Sequence, residues 1–129
     1  MEEYKRTVLY VEDNELNMAL MHHIFKKNLP SLLLLKAETA EIGLDIAVRR
    51  LPDLIILDIG LPGLNGYEAL EWLKAREDTR HIPVVAISAF ALRSDIERAR
   101  ETGFAAYITK PFQVSAFTDT VKALLAWKP

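Results

Sequence analysis

Five short apolar runs, separated by longer amphipathic stretches, constrain this chain more than any other feature. The runs are TVLYV (Thr7 to Val11), LLLLK (Leu32 to Lys36), LIIL (Leu54 to Leu57), VVAIS (Val84 to Ser88) and AAYIT (Ala105 to Thr109). Near-continuous apolarity over so few residues is how a strand covered on both faces reads. LLLLK fits least well, because leucine favours helix. The stretches between them carry helical periodicity. Asn14 can cap a first helix with Leu16, Leu20 and Ile24 along one side. A second spans about Ala40 to Arg50 and stops before Pro52. A third follows Asn65, with Ala69, Leu70 and Leu73 facing in. Ser94 and Glu97 form a capping box for a fourth that ends at Gly103. A fifth starts near Ser115, with Phe117, Val121, Leu124 and Leu125 as its inner stripe. Strand–helix repeated five times, with short right-handed connections, predicts an α/β domain: an open parallel sheet with helices on both faces. Ligands of such sheets bind at the carboxyl ends of the strands.

Composition narrows the function classes. A chain of 129 residues suits one domain, and the expectation is a single domain over 1–129 without a DNA-binding output domain. The net charge is −2 with both signs scattered, which argues against a basic surface for nucleic acid or membrane. With no cysteine, disulfides, thiolate zinc sites and cysteine nucleophiles are excluded. MEEYKRT is unlike a secretory signal, and no apolar stretch approaches the roughly 18 residues needed to span a bilayer. A cytoplasmic location is expected.

The carboxyl ends of the five strands gather unusual chemistry. Strand one ends in Glu12 and Asp13, strand three in Asp58, strand four in Ser88, and strand five is followed by Lys110. Three clustered carboxylates raise one another's pKa, and a hard divalent cation would relieve the repulsion. Mg²⁺ takes oxygen ligands and keeps several waters. Asp13 and Asp58 are candidate direct ligands, and Glu12 acts through a water. Asp58 can then attack phosphorus as a nucleophile, with Lys110 and the Ser88 hydroxyl as contacts for the phosphoryl oxygens.

Together these pieces resemble a known family. Glu12-Asp13 after VLYV, Asp58 in LIILDIGLPGLNGYE, Ser88-Ala89 after VVAI, and Tyr107 with Lys110-Pro111 in AAYITKP are similar to the receiver domain of two-component response regulators. The resemblance covers nearly the whole chain, in order and spacing. It implies a flavodoxin-like, doubly wound sheet in the order 2-1-3-4-5. It also implies that Asp58 accepts phosphate from a phosphohistidine on a histidine kinase or histidine phosphotransfer protein. Asp13, Asp58 and the backbone carbonyl of Gly60 would bind Mg²⁺, with Glu12 in support. Lys110 would pair with the phosphate, Ser88 would bond it, and Tyr107 would turn inward when Ser88 moves. The Lys110–Pro111 bond would be cis. Gly60 stands where many relatives carry a side chain that contacts the phosphoryl group or the attacking water, and Phe90 where several relatives are polar, which bears on the lifetime of the phosphorylated state. NMALM and GFAAYITKP resemble receivers attached to kinases, so the downstream partner is either a separate protein or the rest of a hybrid kinase.

Simpler readings compete at each position. Alone, Asp58 is a strand-end acid, Glu12 and Asp13 favour a helix N-terminus, and Lys110 is a turn lysine. Their conjunction argues otherwise. A phosphatase of the haloacid dehalogenase type also uses a strand-end Asp and Mg²⁺, but places a second Asp two residues later, where this chain has Gly60. A binding module that kept the fold and lost phosphorylation would not need the complete set. His22 and His23 point about 100° apart on a helix and read as surface residues. Met18, Met21 and Phe25 widen the core face of the first helix, or form part of a docking face. The fourth helix has few apolar anchors, chiefly Ile96 and Ala99, which suits an element that rearranges.

Overall fold

The computed structural model describes residues 6–59, 66–89 and 93–126, with side chains on the fourth helix described from Ile96 onward. The elements alternate throughout: β1 (Arg6–Val11), α1 (Glu15–Asn28), β2 (Leu32–Ala37), α2 (Ala40–Arg50), β3 (Leu54–Asp58), α3 (Gly66–Ala75), β4 (Val84–Ser88), α4 (Arg93–Thr102), β5 (Ala106–Thr109) and α5 (Val114–Ala126). The strands form one parallel sheet in the order β2-β1-β3-β4-β5.

The side-chain period of two divides the core into two layers. Leu9, Val11, Ile55, Leu57, Val84 and Ala86 point to the side covered by α2, α3 and α4. Val8, Tyr10, Leu54, Ile56, Val85 and Ile87 point to the side covered by α1 and α5. Every residue of β3 and β4 is buried. The edge strands β2 and β5 are mostly half-buried, so LLLLK becomes a strand through its pairing with β1 rather than through propensity.

Local chemistry sets the helix ends. Asn14 Oδ1 accepts the Asn17 N–H at 2.8 Å, and Thr39 Oγ1 accepts the Ile42 N–H at 3.1 Å, each satisfying an otherwise orphaned donor. α2 stops at Leu51, which adopts a left-handed conformation (φ 45°) before Pro52. Gly103 closes α4 with φ 107°, a region that favours glycine.

Two sequence expectations shift. On α1, Leu16 and Leu20 are exposed, and the buried stripe is Met21, Ile24 and Phe25. The helix is rotated relative to the Leu16–Leu20–Ile24 reading because aromatic and thioether bulk fills the α5 side better: Phe25 meets Phe117 at 6.2 Å between ring centroids. α4 already includes Arg93, so Ser94 sits inside the helix rather than at its cap. α5 opens at Val114, beside the expected Ser115, with Phe117, Val121 and Leu125 buried, Leu124 half-buried against the same cluster, and Thr118 added to the buried face. Gly60, Asn65 and Phe90 lie outside the described residues.

α4 is indeed thinly anchored, with Ala99 buried and Ile96 half-buried. An exposed contact supplements it: the Arg98 guanidinium lies 4.0 Å from the Tyr67 ring centroid, and Tyr67 meets Phe104 edge-on at 5.7 Å.

Candidate functional site

The strand register brings the polar residues into one row. Val11 pairs with Leu57, so the next residues, Glu12 and Asp58, stand level. Asp58 pairs with Ile87 and Ser88 with Thr109, and the Lys110 N–H continues the ladder to the Ser88 carbonyl at 2.7 Å. By alternation, Glu12, Asp58 and Lys110 follow the α1/α5 side, whereas Ser88 follows the α3/α4 side with Ala86. The Lys110–Pro111 bond is cis.

One ammonium joins two acids. Lys110 Nζ donates to Glu12 Oε1 at 2.9 Å and to Asp58 Oδ2 at 2.8 Å. Glu12 is 2% exposed and Asp58 8%, so water reaches both charges poorly and the shared ammonium helps to offset each. Glu12 has further support. The Tyr10 hydroxyl donates to Oε1 at 2.7 Å, and the Asn14 N–H donates to Oε2 at 3.2 Å. Burial pushes the Glu12 carboxyl up, but the bonds from Lys110, Tyr10 and Asn14 outweigh it and hold the group below its usual range. Burial likewise pulls Lys110 down, and its two carboxylate partners outweigh that and raise it. Burial, followed by the Glu12 carboxylate, drives the Tyr10 phenol far up, so it remains a protonated donor.

Of the other expected residues, Asp13 and Ser88 stand at the carboxyl ends of β1 and β4, and Gly60 lies outside the described residues. Asp13 is exposed beside Glu12, on the wall of an open groove with Asn14, His22 and Lys36. Ser88 is buried at the end of β4. Tyr107 is half-buried, pairs with Ala86, and packs against the α2–α4 side of the core, the same face that Ser88 follows. His22, His23 and His81 are exposed. Tyr10 is the site residue that sequence reasoning passed over as part of an apolar run. The available signal was its place two residues before Glu12, which on a strand means the same face.

The donor chemistry suits a hard cation. Asp13 and Asp58 offer carboxylate oxygens, one exposed and one at the buried rim, and the chain has no cysteine thiolate to favour a softer metal. Among the described residues, no three His, Asp or Glu side chains form a ready-made metal cluster. An ion that retains several waters does not require such a cage.

A model of the response regulator receiver domain matches residues 8–122. The chain belongs to this family. It is 42% identical over 120 residues to the polar-differentiation response regulator DivK of Brucella ovis, covering 93% of this chain and 96% of that one. Its fold matches the receiver domain of a sensor histidine kinase from Pseudomonas aeruginosa, with a TM-score of 0.85, 26% identity, and 95% and 99% of the two chains covered. That structure carries a magnesium ion coordinated in its active-site cleft. A response regulator of Chloroflexus aurantiacus gives a TM-score of 0.88 at 25% identity, again over 95% and 99%. This receiver is therefore a module of two-component signal transduction, a signalling domain rather than a classical enzyme. Receivers of this kind work with histidine kinases and downstream targets. Among the described residues, no helix is long and apolar enough to cross a membrane.

Proposed function

We propose that this receiver takes a phosphoryl group onto the carboxylate of Asp58 from a phosphohistidine on a histidine kinase or histidine phosphotransfer protein. The observation that carries the reading is the Lys110 ammonium held between Asp58 and Glu12 at the strand ends. A buried acid aimed from a rigid strand, with a cation already against it, is arranged for charge neutralisation during transfer.

In the proposed step, an Asp58 carboxylate oxygen attacks phosphorus in line. The P–O bond forms as the P–N bond to the donor imidazole breaks, and the imidazole keeps the electron pair. Lys110 passes from the carboxylates to a phosphoryl oxygen, and the Ser88 hydroxyl donates to another. Asp13, Asp58 and the Gly60 carbonyl would hold Mg²⁺, with Glu12 reaching it through a water; when bound, the ion supplies further neutralisation of the transferring group. Water later cleaves the acyl phosphate, so the domain catalyses only its own phosphorylation and dephosphorylation. Movement of Ser88 and Tyr107 then biases α4, a population shift that alters a protein-binding surface.

The test is acid-labile phosphate incorporation from acetyl phosphate with Mg²⁺. Wild type is expected to label and Asp58→Asn to stay blank. A wild type that stays unlabelled would instead favour a receiver-fold binding module. Steady turnover of small phosphate esters would favour a phosphatase.

A further inference from the structure

Glu12 is held by more donors than a supporting acid requires. Oε1 receives the Tyr10 hydroxyl at 2.7 Å and the Lys110 ammonium at 2.9 Å, while the same ammonium reaches Asp58 Oδ2 at 2.8 Å. One oxygen is thus shared by a phenol and an ammonium, and one ammonium by two carboxylates. Tyr10 is 1% exposed, and its ring belongs to the buried cluster with Val8, Met21, Ile56 and Ile87. An aliphatic side chain would fill that place without a polar atom. The hydroxyl is tolerated there because Glu12 receives its proton.

The consequence appears when the ammonium moves. Lys110 has one set of donors to divide between its two acids and an incoming phosphoryl group. If it left Glu12 and nothing else bonded Oε1, a buried carboxylate oxygen would lose its donor, a costly state. The phenol removes that difficulty, since it keeps Oε1 bonded whichever acceptor Lys110 chooses. We propose that Tyr10 is a positioning residue for phosphoryl transfer, its hydroxyl keeping the Glu12 carboxylate in one orientation while Lys110 transfers to the phosphoryl group on Asp58. The inference rests on the phosphoacceptor reading of Asp58. Tyr10 touches no reacting atom and acts through Glu12.

Tyr10→Phe deletes one oxygen and retains the ring. Two measurements read its effect: the initial rate of labelling by acetyl phosphate at saturating Mg²⁺, and Mg²⁺ affinity by calorimetry with no phosphodonor present. Labelling is expected to slow by about fivefold or more, and Mg²⁺ to bind about threefold or more weakly, effects in the range of one lost hydrogen bond to a charged group. In a Glu12→Gln background, the same substitution is expected to change neither quantity, because Tyr10 acts through that carboxylate. A folded Tyr10→Phe protein matching wild type in both measurements would overturn the inference. So would an equal loss in the Glu12→Gln background, which would mean that the hydroxyl acts by a route other than Glu12. Should Tyr10→Phe fail to fold, Tyr10→Leu takes its place, and only the part of its loss that disappears in the Glu12→Gln background is assigned to the hydroxyl; the absence of any such part would overturn the inference. A wild type that binds Mg²⁺ yet takes no label would sink the phosphoacceptor reading itself, and the transfer role with it; a labelled wild type beside an unaffected Tyr10 variant sinks the inference alone.

Discussion

Lys110→Ala removes the one ammonium between two buried acids, and its cost can be worked from the geometry. Two charge-assisted bonds disappear, at 2.9 and 2.8 Å. Each such bond contributes about 1.5–3 kcal/mol, and breaking a buried pair from one side costs about 3–5 kcal/mol. The lysine side chain is 21% exposed and that of Asp58 11%, so water can enter and soften the loss. The expected destabilisation is about 2–4 kcal/mol at pH 7 in metal-free buffer, a large share of the roughly 5–15 kcal/mol that holds a domain together.

The pH dependence makes this prediction specific. In wild type, the Glu12 carboxyl lies below its usual range, so its contribution is present above the ordinary value of 4.5 and lost as pH falls through the lowered one. Lys110 is raised, so its contribution is present below 10.5 and lost only as pH rises through the raised value. Between those limits these two groups leave wild-type stability level. Without the lysine, Glu12 loses the largest of the bonds that offset its burial and keeps only those from Tyr10 and Asn14, so its carboxyl rises and a proton can take the ammonium's place. The variant should therefore gain on wild type between pH 7 and pH 5. Urea unfolding followed by circular dichroism measures both curves. A gap below about 0.5 kcal/mol at pH 7, or a gap that widens on acidification, would refute the reasoning.

Two other substitutions probe the frame that aims the site. A Cβ on Gly66 would lie 2.4 Å from Ile59 Cγ2 and 2.7 Å from its Cα, so Gly66→Ala should cost about 2–3 kcal/mol by thermal or urea melting; a change within about 0.5 kcal/mol would show that the α3 start yields freely. Thr79 is fully buried and its hydroxyl donates to the Leu73 carbonyl at 2.7 Å, so Thr79→Val, which keeps the shape, should lower stability by about 1–2 kcal/mol in the same assay.

The sheet was legible because its signal is redundant. Five apolar runs, each ended by a turn, leave few ways to connect, and the order β2-β1-β3-β4-β5 implied by the family resemblance is the one observed. The convergence of Glu12, Asp58 and Lys110 was legible for the same reason: each follows a strand, and parallel strands end together. The rotation of α1 was not, because Leu16, Leu20 and Ile24 share a face as plausibly as Met21, Ile24 and Phe25. The choice depends on the shape of α5, and in particular on the ring of Phe117. Tyr10 was hidden by the habit of reading a strand tyrosine as bulk. Its hydroxyl gains meaning only once Glu12 is known to be buried beside it.

The division of the interior has a practical side. Val8, Tyr10, Met21 and Phe117 belong to one packed cluster, and Leu9, Val11, Leu70 and Phe104 to another, with the sheet backbone as the wall between them. An engineer could recombine the α1–α5 half of this receiver with the α2–α4 half of a relative and disturb few side-chain contacts beyond the seam of strands. The two layers would then meet only along the sheet, with the row of strand ends where Lys110 stands at its rim.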